Sequence, residues 1–434
     1  MDVLPCGHVA YASTSRMCRH LLGPDGDEVD HVRLLTGRGL EYDMACEDCD
    51  QAGGDPELIQ VCEGCAERVA DEDNRSMVGW RGEPEILERP EPVDPALTVT
   101  PLPRALRDPL DWAAIAGESG PVWLFLTERR RLVRFDAASG EHEALTRVPL
   151  RREKGEDRQP DRRPRLRLHV SPSGRFAAVV HDRGTGGTLV DLRSGQVMMT
   201  LNGGDHRTEH VPFSLAFAEH QGREVVVHRT DWNRLDVSDP ATGALLTRRE
   251  HPEAKEGERF PEHHLDYFHG ALHVSPDGRW IADDGWVWAP VGVPAVWDLR
   301  RWLDGNPWES EDGPSRQRLC WRDYSWNEPM CWVSDTLVAL SGIGRDDLYL
   351  LDGVQIFDAG TGAEVTRFAG PRRPLLADDR RLYSAGADGL EIWDPFTGER
   401  TGAVPGFVPE RHHPGAAELA ALRDDALVRW RTRP

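Results

Sequence analysis

Two pairs of cysteines near the N-terminus have the spacing of metal ligands. Cys46 and Cys49 are separated by two residues, and after twelve further residues Cys62 and Cys65 repeat the arrangement. A two-residue gap allows both thiolates of a pair to bind one ion, and two such pairs complete a tetrahedron. The pattern predicts that these four cysteines bind Zn²⁺ and leave no coordination position for water.

A second set of zinc-type ligands lies upstream, where Cys6-x-His8 is followed by Cys18-x-His20. Thiolate sulfur and neutral imidazole nitrogen both suit zinc. In one arrangement each quartet holds its own ion. In the other the pairs interleave: Cys6 and His8 with Cys46 and Cys49, and Cys18 and His20 with Cys62 and Cys65. The sequence predicts one zinc ion, leaves a second open, and does not choose between these arrangements.

The expected metal is structural. A catalytic zinc site requires an open position and a base, and although Glu47 and Glu63 lie inside the cysteine pairs, four thiolates would exclude water. A short acidic segment buries little apolar surface, so metal ligation would supply the missing folding energy. The sequence also lacks a phosphate-binding loop, a nucleophile elbow and a zinc-protease helix. We therefore expect no catalytic residues and favour a protein that is not an enzyme.

Charge is distributed unevenly along the 434 residues. Residues 1–94 contain 22 Asp and Glu against 8 Arg, a balance of −14, so the other 340 residues carry −8 of the total of −22. An acidic module repels a phosphate backbone and suits a basic protein partner. The exception is the segment 147–168, where nine basic and four acidic residues give +5. Its lack of interleaved aromatic residues argues against single-stranded nucleic acid.

The expected compartment is the cytoplasm. The N-terminus has neither the basic segment nor the apolar stretch of a signal peptide, and no apolar run reaches the roughly 18 residues of a membrane helix. In a reducing compartment, the eight cysteines favour metal binding over disulfides. The chain contains only two lysines, Lys154 and Lys255, and this preference for arginine is typical of a GC-rich, bacterial genome.

Tryptophan is concentrated in one stretch, since nine of the fifteen lie between Trp280 and Trp332. Exposed Trp clusters act as binding hot spots, which is one interpretation. The other, which we favour, is that these side chains fill space between sheets. The stretch includes an insertion at 301–324, and long loops often carry contacts with partner proteins.

A recurring turn indicates the elements that must position these residues. It reads Asp-x-x-Ser/Thr-Gly after a short apolar run. The copies begin at Asp136, Asp191, Asp239, Asp358 and Asp394, with a stretched copy at Asp298. The aspartate accepts bonds from the amides ahead of it, and the glycine supplies a positive φ. These markers lie 36 to 60 residues apart, and Trp430 is a seventh marker. The pattern predicts seven small antiparallel sheets.

The chain resembles the WD-repeat β-propeller proteins and their bacterial relatives over about residues 96–434. The resemblance rests on Trp297-Asp298, on Trp393-Asp394, and on two Ser-Pro-x-Gly-Arg turns that begin at Ser171 and Ser275. It implies an all-β, seven-bladed propeller, here preceded by a small zinc-stabilised module.

The expected domains are a Cys/His-rich zinc-binding module at 1–80, a Pro/Glu-rich linker at 81–95 and the propeller at 96–434. The first blade would run from about 104 to 150. The last blade ends after its third strand, so we expect residues 96–102 to supply the fourth and close the ring.

Fold class alone does not determine function. The sequence favours a non-enzymatic scaffold or adaptor in a multi-protein assembly, using the acidic zinc module and a propeller face. One alternative is a small-molecule sensor or enzyme with its site in the propeller's central funnel. A further alternative is a nucleic-acid-associated factor that acts through the basic 147–168 loop. We expect no membrane partner.

Overall fold

Nearly all regular structure in this protein is β-strand. The computed structural model describes residues 4–7, 15–23, 31–35, 42–52, 57–62, 65–66, 69, 77–81, 93, 96–117, 120–151, 153, 165–250, 254, 257–288, 290–344 and 350–433. Their strands form one mixed N-terminal sheet and seven antiparallel sheets. Within these ranges, no helix has the length and apolar character needed to cross a lipid bilayer.

The N-terminal module contains a five-stranded sheet. Its strands are β1 (Ser15–Cys18), β2 (His31–Leu35), β3 (Tyr42–Cys46), β4 (Leu58–Val61) and β5 (Met77–Arg81), in the order β4-β1-β3-β2-β5. β1 runs parallel to β3 and antiparallel to β4. A 3-10 helix, Arg19–Leu22, follows β1, and the short helix α1, Glu47–Gln51, follows β3.

The next strand, β6 (Thr98–Pro101), is followed by the first two of the seven sheets. The first sheet consists of β7 (Asp111–Ile115), β8 (Val122–Leu126), β9 (Arg131–Asp136) and β10 (His142–Arg147). The second consists of β11 (Leu166–Val170), β12 (Phe176–His181), β13 (Gly186–Asp191) and β14 (Val197–Asn202). Each strand pairs with the next, as expected of a meander joined by tight turns.

The third and fourth sheets depart from this pattern. The third consists of β15 (Leu215–His220), β16 (Arg223–Asp231) and β17 (Arg234–Ser238), followed by a single bridge from Ser238 to Leu245. The fourth consists of β18 (Phe268–Val274), β19 (Trp280–Val287), β20 (Val291–Gly292), β21 (Ala295–Asp298), β22 (Gln317–Arg318) and β23 (Arg322–Asp323). Helix α2 (Leu299–Asp304) follows β21 and begins the 301–324 insertion.

The last three sheets return to four strands. The fifth consists of β24 (Met330–Trp332), β25 (Leu337–Ile343), β26 (Leu351–Asp358) and β27 (Glu364–Ala369). The sixth consists of β28 (Arg372–Ala377), β29 (Leu382–Ala385), β30 (Gly389–Trp393) and β31 (Arg400–Pro405). The seventh consists of β32 (Arg411–His413), β33 (Glu418–Arg423), β34 (Ala426–Arg431) and β6, because Val99 of β6 lies opposite Val428 of β34.

The seven sheets form a closed ring. Their first strands contact one another in the cyclic order β7, β11, β15, β18, β24, β28, β32 and back to β7. Buried apolar side chains fill the space between neighbouring sheets, and one cluster joins Trp123 of the first sheet to Leu427 of the seventh. The protein is therefore a seven-bladed β-propeller preceded by a small module that contains a Cys/His cluster.

The aspartate turns close the blade hairpins through local hydrogen bonds. At the end of β9, Asp136 Oδ1 accepts bonds from the amides of Ala138 and Ser139 at 2.8 and 3.1 Å. Gly140 completes the turn with a φ of +78°. The stretched copy has a different outcome, because Asp298 caps α2 by accepting from the amides of Arg300 and Arg301. The same side-chain chemistry thus begins a helix where no glycine follows.

The 301–324 insertion is largely packed against the propeller. Arg249, which is buried, pairs with Asp236 of β17 at 2.5 Å and with Glu311 of the insertion. Trp308 lies against the same guanidinium, 5.0 Å from Arg249 Cζ to the ring centroid. Trp302 is 2% exposed in the core between the third and fourth sheets. Residues 245–247 lie against β17 on the side where a fourth strand would be, and the insertion packs against Arg249 just beyond them.

Candidate metal centre

The first group of metal-ligand side chains consists of Cys18, His20, Cys46 and Cys49. Cys18 and Cys46 are the last residues of the parallel strands β1 and β3, so both lie at the same end of the sheet. Each is followed by a helical turn, and these turns supply His20 and Cys49. Parallel pairing and two short helices therefore bring four ligands to one point.

The spacing of these four side chains fits a tetrahedral ion. All four ligand atoms lie within 4.8 Å of one another. His20 Nδ1 lies 3.2 Å from Cys49 Sγ and 3.5 Å from Cys46 Sγ. Zinc bonds of about 2.3 Å to sulfur and 2.0 Å to nitrogen place two such ligand atoms roughly 3.5 Å apart. The four residues can therefore hold a metal ion with little rearrangement.

Cys6, Cys62 and Cys65 form the second group, also within 4.8 Å of one another. Cys62 begins a helical turn, and its carbonyl accepts from the amides of Cys65 and Ala66, both at 3.1 Å. His8, the remaining sequence candidate, lies outside the described residues. Three thiols in this arrangement can also hold a metal ion.

The ligands are grouped differently from either arrangement considered from the sequence. Cys46 and Cys49 do not share a group with Cys62 and Cys65, and Cys18 and His20 join the former pair. The reason is strand direction. β4 runs antiparallel to β1, with Val61 opposite Ser15, so Cys62 follows at the end of β1 opposite to Cys18. Four extended residues span about 10 Å, too far for one ion.

Backbone amides orient the sulfur atoms. The amide of Cys46 donates to Cys18 Sγ at 3.3 Å, and the amide of Cys62 donates to Cys6 Sγ at 3.4 Å. Such outer contacts hold metal-bound thiolates in place and offset their charge. In each group, therefore, the sulfur of one cysteine accepts a hydrogen bond from the backbone amide of another cysteine of the same group.

Packing the thiols together raises two of their pKa values. Desolvation, followed by the neighbouring Cys46 and Cys18, raises the pKa of Cys49 to about 12. Desolvation, followed by Cys62 and Cys6, raises the pKa of Cys65 to about 11. A cation bound by these sulfurs would release their protons, so metal binding should strengthen as pH rises.

The ligands are also part of the module's core. Cys18, Cys46 and Cys65 are buried together with Met17 and Val61. Glu47, which lies inside one cysteine pair, accepts a hydrogen bond from Gln51 Nε2 at 2.6 Å along the exposed side of α1. Among the described residues of this module, apolar packing and metal-ligand side chains thus form a single centre.

The Trp-rich stretch divides into two sets. Five of its members are less than one-tenth exposed: Trp280, Trp286, Trp297, Trp302 and Trp332. Trp288 is 59% exposed and Trp321 is 40% exposed, while Trp308 and Trp326 are partly buried. The packing interpretation therefore describes most of these side chains, and a minority faces solvent.

Five of the propeller's inner strands, β7, β11, β15, β18 and β32, line an open cavity of about 820 Å³. Its polar lining includes two ion pairs, Arg167 with Asp182 at 2.9 Å and Arg411 with Asp111 at 2.7 Å. His169 and His273 occupy equivalent positions on β11 and β18, after the matching leucines. Burial, then Arg167, lowers the pKa of His169 to about 3 and that of His273 to about 4, so both imidazoles are neutral. The sequence patterns did not single out these residues.

Most of the basic 147–168 segment falls outside the described residues, namely 152 and 154–164. Of the remainder, Glu153 accepts bonds from the amide and hydroxyl of Thr185 at 2.9 and 3.0 Å. Arg167 is paired with Asp182 in the central cavity. Backbone carbonyls of the described part also contact the second sheet, because Arg151 O lies 3.0 Å from His181 Nε2 and Pro149 O accepts from Thr188 Oγ1 at 2.6 Å.

No protein-family model matches the chain, and no curated protein is similar to it. Among solved structures, a chain of the "Crystal Structure of Mitotic Checkpoint Complex" is 16% identical, with a TM-score of 0.48, over 82% of this chain and 99% of that chain. Hydrazine synthase from Kuenenia stuttgartiensis is 12% identical, with a TM-score of 0.48, over 76% of this chain and 96% of its own. BamB from Moraxella catarrhalis is 15% identical, with a TM-score of 0.45, over 74% of this chain and 84% of its own. At these scores the assignment of the propeller fold rests on the sheet order and on the ring of inner strands.

Proposed function

We propose that this protein is a non-enzymatic adaptor that holds partner proteins with an acidic, zinc-bound module and a propeller face. The observation that carries the proposal is the closed group of Cys18, His20, Cys46 and Cys49. Four protein ligands around one ion leave no position for a substrate or an activated water, so the ion is structural. Such a module presents a surface and does not perform a reaction.

Zinc is the ion that best suits the ligands. Thiolate and imidazole are poor ligands for Mg²⁺ and Ca²⁺, which prefer oxygen. The proposed stoichiometry is two ions per chain. Cys18, His20, Cys46 and Cys49 hold one, and Cys6, Cys62 and Cys65 hold the other. The second group supplies three ligands, and His8 is the candidate for the fourth because it follows Cys6 by two residues in the sequence.

The partner we propose is a basic protein. The balance of −14 over residues 1–94 produces a strongly negative module, and electrostatic complementarity accelerates and selects association with a positive surface. The same charge disfavours nucleic acid, because no phosphate backbone would approach it without a cost. We therefore propose that the module recognises a protein and not DNA or RNA.

The test is a quantitative affinity capture from cells of the source organism. The baits are the native chain, the double variant Cys49→Ser/Cys65→Ser, and Cys320→Ser as a control whose thiol lies in the propeller. We expect a specific partner to be retained by the native chain and the control and lost by the double variant. Equal recovery of the same partner by all three baits would contradict a role for the zinc module.

A second candidate function is small-molecule binding in the central cavity. Its volume of about 820 Å³ and its mixed polar lining fall within the range of ligand sites. A ligand held there would raise the melting temperature, and the shift would grow with the logarithm of its concentration above the Kd. Screening metabolites by thermal shift against the native chain and Arg167→Ala tests this alternative directly. A shift that disappears in the variant would favour the cavity over the adaptor.

A further inference from the structure

An aromatic surface is exposed where connecting loops of the second to fifth sheets meet on one side of the propeller. We call it the aromatic platform. It comprises six rings that contact one another: His206, Trp232, Phe268, Trp286, Trp288 and Trp326. Of its four tryptophans, Trp232 and Trp326 are partly buried. Trp288 is 59% exposed, whereas Trp286 at the centre is 2% exposed.

The rings of the platform are stacked in order. Trp286 lies nearly parallel to Phe268, with centroids 4.5 Å apart, and to Trp326, with centroids 5.1 Å apart. The ring of Trp288 is tilted by 41° against that of Trp286, with centroids 5.6 Å apart. A buried ring therefore supports the exposed one from beneath. This arrangement presents the indole of Trp288 with little loss of side-chain entropy on binding.

The loops that carry the platform are constrained. Trp326 Nε1 and Asn327 Nδ2 both donate to the carbonyl of His210, at 3.0 and 2.9 Å. Arg207, Tyr324 and Asn327 have φ values of 54°, 56° and 62°, in the left-handed region that L-residues rarely adopt. Strained backbone of this kind accumulates at ligand-binding surfaces, where the surrounding structure holds it in place.

A cation already lies on the exposed ring. Arg207 Cζ lies 4.8 Å from the centroid of Trp288, within the range of a cation–π contact. Exposed acidic and basic groups both surround the platform. Those on or against its loops are Asp205, Glu209, Asp231 and Asp266 against Arg183, Arg207 and Arg373, a balance of −1; Arg183 donates to the Glu209 carbonyl at 3.2 Å, and Arg373 pairs with Glu328. A surface of electron-rich rings on which a guanidinium already lies attracts cations.

We propose that the aromatic platform binds an arginine-rich peptide segment of a protein partner, with a guanidinium of the partner replacing Arg207 on Trp288. This inference deepens the proposed adaptor function, because it names one propeller surface and the chemistry of its partner. Arg207 acts as an internal competitor that occupies the ring until such a segment arrives. Removing it frees the ring and lowers the local positive charge.

The test measures binding of a fluorescein-labelled peptide of alternating arginine and glycine to the full-length chain by fluorescence anisotropy. We expect Trp288→Ala to weaken binding at least tenfold and Arg207→Ala to strengthen it about threefold. Phe396→Ala is the matched control, because Phe396 is 58% exposed in a turn of the sixth sheet, and it should leave affinity unchanged. Opposite effects of two substitutions in contact would not arise from general destabilisation.

Three outcomes would overturn the inference: equal affinities for Trp288→Ala and Phe396→Ala, equal binding of a glutamate-glycine peptide, or tighter Trp288-dependent binding of a dT12 oligonucleotide. The two proposals fail separately. Loss of the cellular partner in Cys49→Ser/Cys65→Ser without any Trp288 effect on peptide binding would retain the adaptor and reject the platform. Peptide binding that depends on Trp288, without any cellular partner lost in Cys49→Ser/Cys65→Ser, would retain the platform and reject the role of the zinc module.

Discussion

Asp284 lies on β19 in the core of the fourth sheet, and it is 1% exposed. Within the described ranges, neither of its carboxylate oxygens has a partner with full hydrogen-bond geometry. Burial raises the pKa of Asp284 to about 8; Arg322 and the backbone of Glu328 oppose this effect, and the Glu328 and Asp283 carboxylates add to it. The side chain is therefore mostly a neutral acid at pH 7. This residue therefore contributes a pH dependence to the free energy of unfolding.

The sign of that dependence follows from proton binding. Asp284 keeps its proton in the folded state up to about pH 8, whereas in the unfolded chain it loses it near pH 4. Between these values the folded state binds more protons, so stability falls as pH rises. We expect Asp284→Asn to remove this loss. Relative to the native chain, the variant should gain on the order of 2–4 kcal/mol from about pH 5 to pH 8, measured by urea unfolding.

Asp283 provides a matched control next in the chain. Its carboxylate accepts from His269 Nδ1 at 2.6 Å and from the Gly270 amide at 2.8 Å. Asp283→Asn weakens both bonds and should lower the free energy of unfolding at both pH values. A constant difference between Asp284→Asn and the native chain across this range would show that Asp284 ionises normally.

Single residues also show which contacts a sequence can reveal. The turn at Asp136 depends on amides two and three residues ahead, so it could be predicted from the sequence. The neighbours of Cys46 could not be inferred in this way, because they depend on β1 pairing in parallel with residues of β3 that lie 27 positions further along the chain. Asp284 carries no local signal, because its burial results from sheets that meet in the ring.

At the scale of elements, β6 joins the two ends of the propeller chain. It pairs with β34, and Thr100 Oγ1 accepts from Arg429 Nη2 at 3.2 Å. Leu97 packs beside the core of the sixth and seventh sheets. Without β6, the backbone groups of β34 would face solvent along an open edge.

We predict that a chain beginning at residue 103 is much less stable than one beginning at residue 96. Its melting temperature should be lower by about 10 °C or more, because a whole ladder and its apolar contacts are lost. Removal of residues 1–80 alone should leave the propeller transition nearly unchanged. Calorimetry of the chains that begin at residues 81, 96 and 103 tests this prediction. Equal melting temperatures for the chains that begin at 96 and 103 would contradict closure by β6.

The elements of the propeller were easier to predict than those of the module. Blade strands are bounded by repeated turns, and β8 and β12 read as continuous apolar runs. The five-stranded N-terminal sheet had no comparable signal. The described core of this module is built largely from Cys and Met side chains, so hydrophobic alternation along the chain is weak.

At the scale of the whole molecule, two units with different sources of stability share one chain. The propeller is held by apolar clusters between successive sheets and by closure of its ring. The module has a small core in which cysteines occupy much of the interior. Both the acidic module and the aromatic platform favour a positively charged partner, so the proposed surfaces are compatible with one basic protein or with two.

The zinc content of the full-length chain, measured by native mass spectrometry together with elemental analysis, is the decisive measurement for the two proposed metal centres. We predict two zinc ions for the native chain and for Cys320→Ser, and one ion for each of Cys49→Ser and Cys65→Ser, with both lost in the double variant. This result would place the two cysteine pairs in separate centres, as the strand directions require. A single ion in the native chain, lost equally in Cys49→Ser and Cys65→Ser, would contradict the separate centres and the metal-built module proposed for this protein.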